Sequence, residues 1–339
     1  MLLQSSFETL VCWRMLTPRK ILVTGGAGYI GSHTVRLLLQ QGHDVTVVDN
    51  LSRGHRHNVP AGRLHELDVA DTKALAHLMA EKECHAVIHF AGFIAVGESM
   101  REPARYFGNN VCGSLSLLDA MVRAGVRHMV FSSTAAVYGN PHATPILESF
   151  PIQPVNAYGE SKVMVETLLR WFDEIHHLTS VCLRYFNASG ADPEGALGEE
   201  HDPETHLIPL LLRAVKTGQP ATIFGDDYAT ADGTCIRDYI HVSDLAQAHI
   251  LALEYLMGGG ASEKFNAGTG TGHSVMEIIR AVEEVTGRKV PYTVGPRREG
   301  DPPSLVAAAD KLRMKLGWTP QYTDLRTIVQ HAWNFAKRE

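Results

Sequence analysis

The chain has 339 residues, 45% of them apolar, and a formal net charge of −6. That length can bury the core of one large domain or of two intimately joined ones. The charge leaves no basic stripe for nucleic acid, no apolar run reaches the roughly 20 residues that span a bilayer, and the scattered cysteines (Cys12, Cys84, Cys112, Cys182, Cys235) give neither a disulfide framework nor a zinc site, so a cytoplasmic protein is expected.

Residues 1–18 fit poorly with the patterned remainder of the chain and are expected to form a disordered extension. Residues 1–13 carry Glu8 before any basic residue, their apolar stretches are too short for a signal sequence, and Met15 would make a natural start. From residue 19 strand and helix alternate. Apolar, β-branched runs at 21–24, 45–48, 86–90, 129–132 and 180–185 read as strands buried on both faces. Helical stretches at 29–41, 72–81, 103–124 and 158–176 lie between them, which predicts an α/β, Rossmann-type doubly wound parallel sheet with right-handed crossovers.

After Tyr185 the pattern changes. Residues 188–206 are rich in Gly, Pro, Asp and Glu and read as a long functional loop. Then come a helix at 207–216, a strand at 221–224, a loop at 225–234, a strand and helix over 239–256, a helix at 275–286, a short strand near 291–294 and a terminal helix from about Leu325. The expected organisation is a dinucleotide-binding domain at 19–187, to which about 236–256 returns, and a smaller, discontinuous α/β substrate domain at 188–339.

The run Gly25-Gly26-Ala27-Gly28-Tyr29-Ile30-Gly31 comes after the first strand and opens the first helix. Glycines there permit a tight turn and let backbone approach a pyrophosphate, with free N–H groups of the helix behind. Asp49 ends the second strand, eighteen residues beyond Gly31. An acid there bonds the adenosine ribose hydroxyls and repels a 2′-phosphate, so NAD is the expected cofactor, with Arg53 nearby the one feature pointing the other way. Asp68, Phe90 and Ala91 fit contacts to the adenine and the cofactor chain, although Asp68 reads equally well as a loop cap.

Tyr158-Gly-Glu-Ser-Lys162 opens a helix whose buried face is Val163, Val165, Leu168, Leu169 and Phe172. Residues four apart on a helix are neighbours, so the Lys162 ammonium can sit beside the Tyr158 phenol and lower its pKa from about 10. An exposed helix with incidental Tyr and Lys gives the same pattern; the glycine loop favours a proton-transfer device. The eighteen histidines include no His-Glu-x-x-His, and the pairs His55/His57 and His176/His177 have no cysteine or carboxylate at ligand spacing. Surface or satisfied histidines, and no metal, are expected.

These features resemble the extended short-chain dehydrogenase/reductases, and within them the branch that interconverts UDP-galactose and UDP-glucose. The resemblance covers about 320 residues from Lys20 and is carried by GGAGYIGSH (25–33), HFAG (89–92), VGES (96–99), RYFN (184–187), RDYIHV (237–242) and RREGD (297–301). It implies Tyr158 as catalytic base, Lys162 as its partner and Thr134 as the hydroxyl bridging sugar O4 and the phenol. It extends the cofactor set to Tyr29, Ile30, Asn50, Val69, Asn109, Ser132 and Tyr185. On the substrate side it implies Asn187, His206 and Leu207, with Arg237 and Arg298 on the diphosphate, Asp301 on the uridine ribose and Phe224 beside the uracil. A UDP-hexose substrate and a homodimer paired through the helices after Pro103 and from Tyr158 are implied by the same resemblance.

Three residues depart from the pattern. Ile94 stands where some members have lysine, His206 where others have asparagine, which implies pH sensitivity, and Leu305 where some place tyrosine beside the hexose, which implies room for N-acetylated sugars. The rivals are a nucleotide-sugar 4,6-dehydratase, which places Asp-Glu where this chain has Ala135-Ala136, and a non-catalytic NAD-binding sensor, which usually loses the Tyr/Lys pair.

Overall fold

The computed structural model describes residues 18–298 and 301–338. The expected N-terminal extension, apart from Pro18, lies outside the described residues, as do Glu299 and Gly300 of the RREGD string.

The first half alternates as its sequence requires: β1 (Lys20–Thr24), α1 (Tyr29–Gln40), β2 (Asp44–Asp49), β3 (Leu64–Glu66), α2 (Thr72–Glu81) and β4 (Ala86–His89). Next come three helical pieces, α3 (Val96–Arg101), α4 (Pro103–Tyr106) and α5 (Gly113–Ala124), with a π-helical stretch at Phe107–Cys112 between the last two. β5 (His128–Thr134) leads through a 3-10 turn at Ala135–Tyr138 to α6 (Ala157–His176) and β6 (Thr179–Tyr185). The second half contains β7 (Asn187–Ser189), α7 (Leu207–Thr217), β8 (Ala221–Phe224), β9 (Ile236–His241), α8 (Val242–Met257), β10 (Glu263–Ala267), β11 (Gly272–Ser274), α9 (Val275–Thr286), β12 (Tyr292–Gly295), β13 (Ser304–Leu305), α10 (Asp310–Leu316) and α11 (Leu325–Ala336).

Seven parallel strands form the main sheet in the order β10-β6-β5-β4-β1-β2-β3. The strand order reverses between β1 and β4, and such a switch point opens a crevice at the carboxyl ends of the strands. Both faces are covered, as strands without alternation demand. Val23, Val47, Ile88 and Val130 pack in one core with Val35 and Leu38 of α1 and Leu245 and Ala248 of α8. Leu22, Val87, Met129 and Phe131 pack in another with residues of α2, α5 and α6.

The smaller layer centres on β9, parallel to β7 and β13 and antiparallel to β11. Beside it β8 pairs with β12, and α7, α9 and α11 share a third core. The sequence pattern misses β7, β10, β11, β13, α3 and α10, and it reads 103–124 as one helix. Strands of two or three residues carry no periodicity. β10 reads Glu-Lys-Phe-Asn-Ala, an edge strand whose Phe265 is buried beside charged neighbours.

Buried histidines carry uncharged rings: burial pulls His33 and His249 down to about 4 and His89 and His241 to about 3. The unfolded chain binds protons at these rings below about 6.5 while the folded chain does not. Stability from them is therefore present above that pH and is lost as pH falls toward 4. The urea midpoint of the NAD-saturated protein is expected to drop steadily between pH 6.5 and 4.5. A flat midpoint over that range would contradict the neutral assignment.

Candidate active site

At the crevice, β1 ends at Thr24 and the chain turns through Gly25, whose φ of +70° suits glycine. A Cβ on Gly25 would come within 2.5 Å of Ala91 N, and one on Gly31 within 2.2 Å of Gly25 O. The turn ends at Gly28, the N-cap of α1, which has no side-chain cap and no acidic residue in its first turn. Backbone N–H groups thus stand free in a cradle a side chain would fill, which fits the pyrophosphate of a dinucleotide. Tyr29 and Ile30 begin the helix, and the Tyr29 hydroxyl donates to Gly190 O at 2.7 Å, tying the loop after β7 to it.

Asp49 lies 8% exposed at the end of β2. Its Oδ2 accepts from Ala27 N at 3.0 Å and its Oδ1 from Leu51 N at 2.9 Å, with lone pairs left for a ribose. Asn50 Nδ2 donates to Asp68 Oδ2 at 2.8 Å, and Asp68 Oδ1 caps Ala70 N at 2.8 Å, so Asp68 is a loop cap whatever else it touches. Arg53 is engaged by Glu98 at 3.3 Å and by the Asp202 carbonyl, which removes it as a rival argument for a 2′-phosphate. Val69 is buried against Gly113, and the Phe90 ring lies 4.6 Å from that of His249.

Asn156 caps α6, its Oδ1 accepting from Gly159 N at 2.8 Å, and this fixes the first turn that carries Tyr158. Tyr158, Lys162 and Thr134 are all buried, at 6%, 3% and 8% exposure. Lys162 Nζ donates to Ser132 O at 3.0 Å and lies 5.9 Å from the Tyr158 ring centre. The phenol is not lowered by that ammonium as the spacing implies. Burial raises its pKa, Tyr185 adds to the rise, and the Thr134 hydroxyl opposes it. Burial also brings Lys162 down to about 8. Desolvation thus outweighs the helix-neighbour effect. Tyr185 shares a 2.8 Å hydrogen bond with Ser132.

Across the cleft, Arg237 on β9 pairs with Asp301, to which the Tyr228 hydroxyl donates at 3.3 Å. Arg298 lies 4.4 Å over the Phe224 ring. Arg298 and Asp301 line an open cleft of about 510 Å³ with Asn140 and Pro141. Asn187 Nδ2 donates to Asp238 O at 3.3 Å, Leu305 packs against the core of Ala135, Val137 and Tyr138, and Ile94 is 38% exposed. His206 caps and Leu207 begins α7, joined to α1 through rings: His206 to His201 at 5.0 Å and His201 to Tyr29 at 6.2 Å.

Sequence reasoning missed three groups. Asn110, in the π-helical stretch, accepts from Phe93 N at 2.8 Å and from Asn109 Nδ2 at 2.9 Å, and donates to Phe93 O and Ser161 Oγ at 3.0 Å. It thereby fastens the strand-end loop to α6; π-helical stretches at functional sites are the signal that finds such residues. Behind the catalytic residues, Arg184 and Glu166 form a buried pair at 2.6 Å, with Ser133 donating to Glu166 at 2.8 Å and Arg184 to the Tyr138 hydroxyl at 2.9 Å. The third group is Glu199, His201 and Glu204 around the expected His206, the four donor atoms lying within 4.8 Å of one another; its signal is the run Glu-x-His-x-x-Glu-x-His.

Residues 21–268 match the model of the NAD dependent epimerase/dehydratase family, and the chain belongs to that family. More particularly, it is 51% identical over 318 residues to a UDP-glucose 4-epimerase of Halalkalibacterium halodurans, covering 94% of this chain and 95% of that one. Its fold matches the Brucella ovis UDP-glucose 4-epimerase in complex with NAD at a TM-score of 0.91 and 47% identity, over 94% of this chain and 98% of that one. The UDP-glucose-4-epimerase of Stenotrophomonas maltophila, solved with bound NAD and formylated UDP-arabinopyranose, gives 0.91 at 41% identity over 94% and 98%.

Proposed function

We propose that this chain is an NAD-dependent isomerase that interconverts UDP-galactose and UDP-glucose by inverting C4, with Tyr158, Thr134 and Lys162 as the acting side chains. The observation carrying that assignment is their burial together where β5 and α6 meet the crevice of the glycine loop. NAD, when bound, supplies the two-electron acceptor and donor for C4 and a positive charge that favours the phenolate. Gly25, Gly28 and Gly31 cradle its pyrophosphate, and Asp49 takes its ribose.

Tyr158 accepts the proton of the sugar 4-hydroxyl and later returns it, and Thr134 holds that hydroxyl in line. Lys162, held by the Ser132 carbonyl, supplies a cation close to the phenol ring. The flat 4-keto sugar has no stereocentre at C4, so presenting its other face before the return step gives the epimer. Arg237 and Arg298 grip the diphosphate through guanidinium forks, and Asp301 and Phe224 hold the uridine, so the hexose turns without leaving. Arg237 and Asp301 pair with each other, and substrate binding exchanges that ion pair for substrate contacts. The 4,6-dehydratase reading lacks its acid and base: Ala135 and Ala136 occupy the turn after Thr134.

Incubation of the purified protein with UDP-galactose and no added NAD, followed by chromatography, tests this directly. UDP-glucose is the expected product. No product even after NAD is supplied would overturn the assignment. In the same assay Leu305 is expected to admit UDP-GlcNAc, and an undetectable rate beside a good UDP-galactose rate would refute that extension.

The proposal includes a homodimer through α5 and α6. Met164, Trp171 and Ile175 are exposed at 43%, 46% and 62%, in one stripe on α6 beside Leu115 of α5 at 43%, and a second copy covers such a stripe best. Trp171→Glu is expected to convert the dimer to a monomer by light scattering; a wild-type protein that is already monomeric would remove the dimer.

A further inference from the structure

The loop between β7 and α7 turns two carboxylates and two imidazoles toward one another. His206 Nδ1 lies 2.8 Å from Glu199 Oε1 and 3.1 Å from Glu204 Oε1, while His201 Nδ1 lies 3.1 Å from the same Glu199 oxygen and 3.7 Å from Glu204 Oε2. Glu204 Oε1 also accepts from the backbone N–H groups of Thr205 at 2.6 Å and His206 at 2.7 Å. The Glu199 and Glu204 side chains are only 6% and 10% exposed, whereas that of His206 is 39% exposed. Two buried carboxylates without counter-charge are costly, and two imidazolium rings balance them.

The imidazole ring has its nitrogens on different sides. With Nδ1 committed to the glutamates, Nε2 is left for a ligand. We propose that Glu199 and Glu204 are positioning residues that clamp His206 through Nδ1, so that its Nε2–H is a fixed, charged donor to the substrate diphosphate. This rests on the UDP-hexose substrate of the proposed function and on the resemblance that puts His206 on the substrate side.

The departure from asparagine at this position therefore does not make binding pH-sensitive, because the charge is held by its neighbours. Burial alone would strip the proton from His206, but Glu199 and Glu204 outweigh it and push the ring up to about 10; the same carboxylates hold His201 at about 9. The other titratable group facing the cluster is Tyr29 of α1, whose phenol burial and the two glutamates keep protonated. Arg53 reaches the same loop but at the Asp202 carbonyl, and His57 is paired with Glu200 at 3.0 Å.

The test is the pH profile of KM and kcat for UDP-galactose in the NAD-saturated enzyme. Wild type is expected to show a flat KM from pH 6 to 8.5. In Glu199→Gln one of the two carboxylates that hold the charge is gone while Glu204 stays, so the ring loses its proton at lower pH and KM rises, by up to about tenfold, toward pH 8.5 with kcat unchanged. Glu199→Gln combined with His206→Asn, a donor that cannot titrate, restores a flat KM. A ¹⁵N titration of the His206 ring reads the clamp without substrate and is expected to shift clearly downward from above 9 in Glu199→Gln.

A flat KM and an unmoved ring titration in Glu199→Gln would overturn the clamp alone. An unchanged KM in His206→Ala, with the ring still titrating above 9 in wild type, would remove His206 from the diphosphate and the proposal with it. One equivalent of divalent metal in the purified protein, released by chelator, would also overturn it, since the imidazoles would then be neutral.

Discussion

Tyr158→Phe is expected to lower kcat for UDP-galactose by about 10²–10⁴-fold, the range a positioned acid–base group contributes. The replacement removes one oxygen from a side chain that is 6% exposed and keeps the ring that lies beside Lys162. Retained NAD, read from absorbance after denaturation, is therefore expected to match wild type, and KM to change little. Thr134→Val, which loses the aligning hydroxyl but not the phenol, is expected to fall between the two. Turnover in Tyr158→Phe equal to wild type would remove the phenol from the reaction.

The second large effect is on folding. Glu166→Ala leaves Arg184, a guanidinium side chain 2% exposed, without its carboxylate, and an uncompensated buried charge costs about 3–5 kcal/mol. The loss spreads, because Glu166 also accepts from Ser133, the residue before Thr134, and pairs with Lys264 of the edge strand β10 at 3.0 Å. Replacing both partners by apolar residues, Glu166→Leu with Arg184→Leu, is expected to cost less than Glu166→Ala. Urea unfolding of NAD-saturated samples checks both, since a ligand bound only to the native state adds its own stabilisation. A change below about 1 kcal/mol in Glu166→Ala would show that the Arg184 guanidinium is not left uncompensated.

The glycine loop, Asp49 and the Tyr158/Lys162 spacing were legible because each is written within a few consecutive residues at a strand end or a helix start. The main sheet was legible for the same reason: both-face burial forces Ile, Leu and Val runs such as 21–23. What stayed hidden depends on partners far apart in sequence. Nothing local announces that Glu166 meets Arg184, that Lys264 borders the sheet, or that Asn110 grips Phe93 and Ser161. The phenol's acidity was misread from spacing alone, because a helix repeat reports which side chains are neighbours but not how dry they are.

The two layers are joined without slack. Phe186 alone separates β6 from β7, and β9 passes into α8 with no residue between. A chain that crosses between the layers this often and this tightly does not let one half be cut out or exchanged as a module. Domain shuffling is closed to this scaffold as a route to new substrates. Sugar preference then changes through single side chains rather than through exchange of a module.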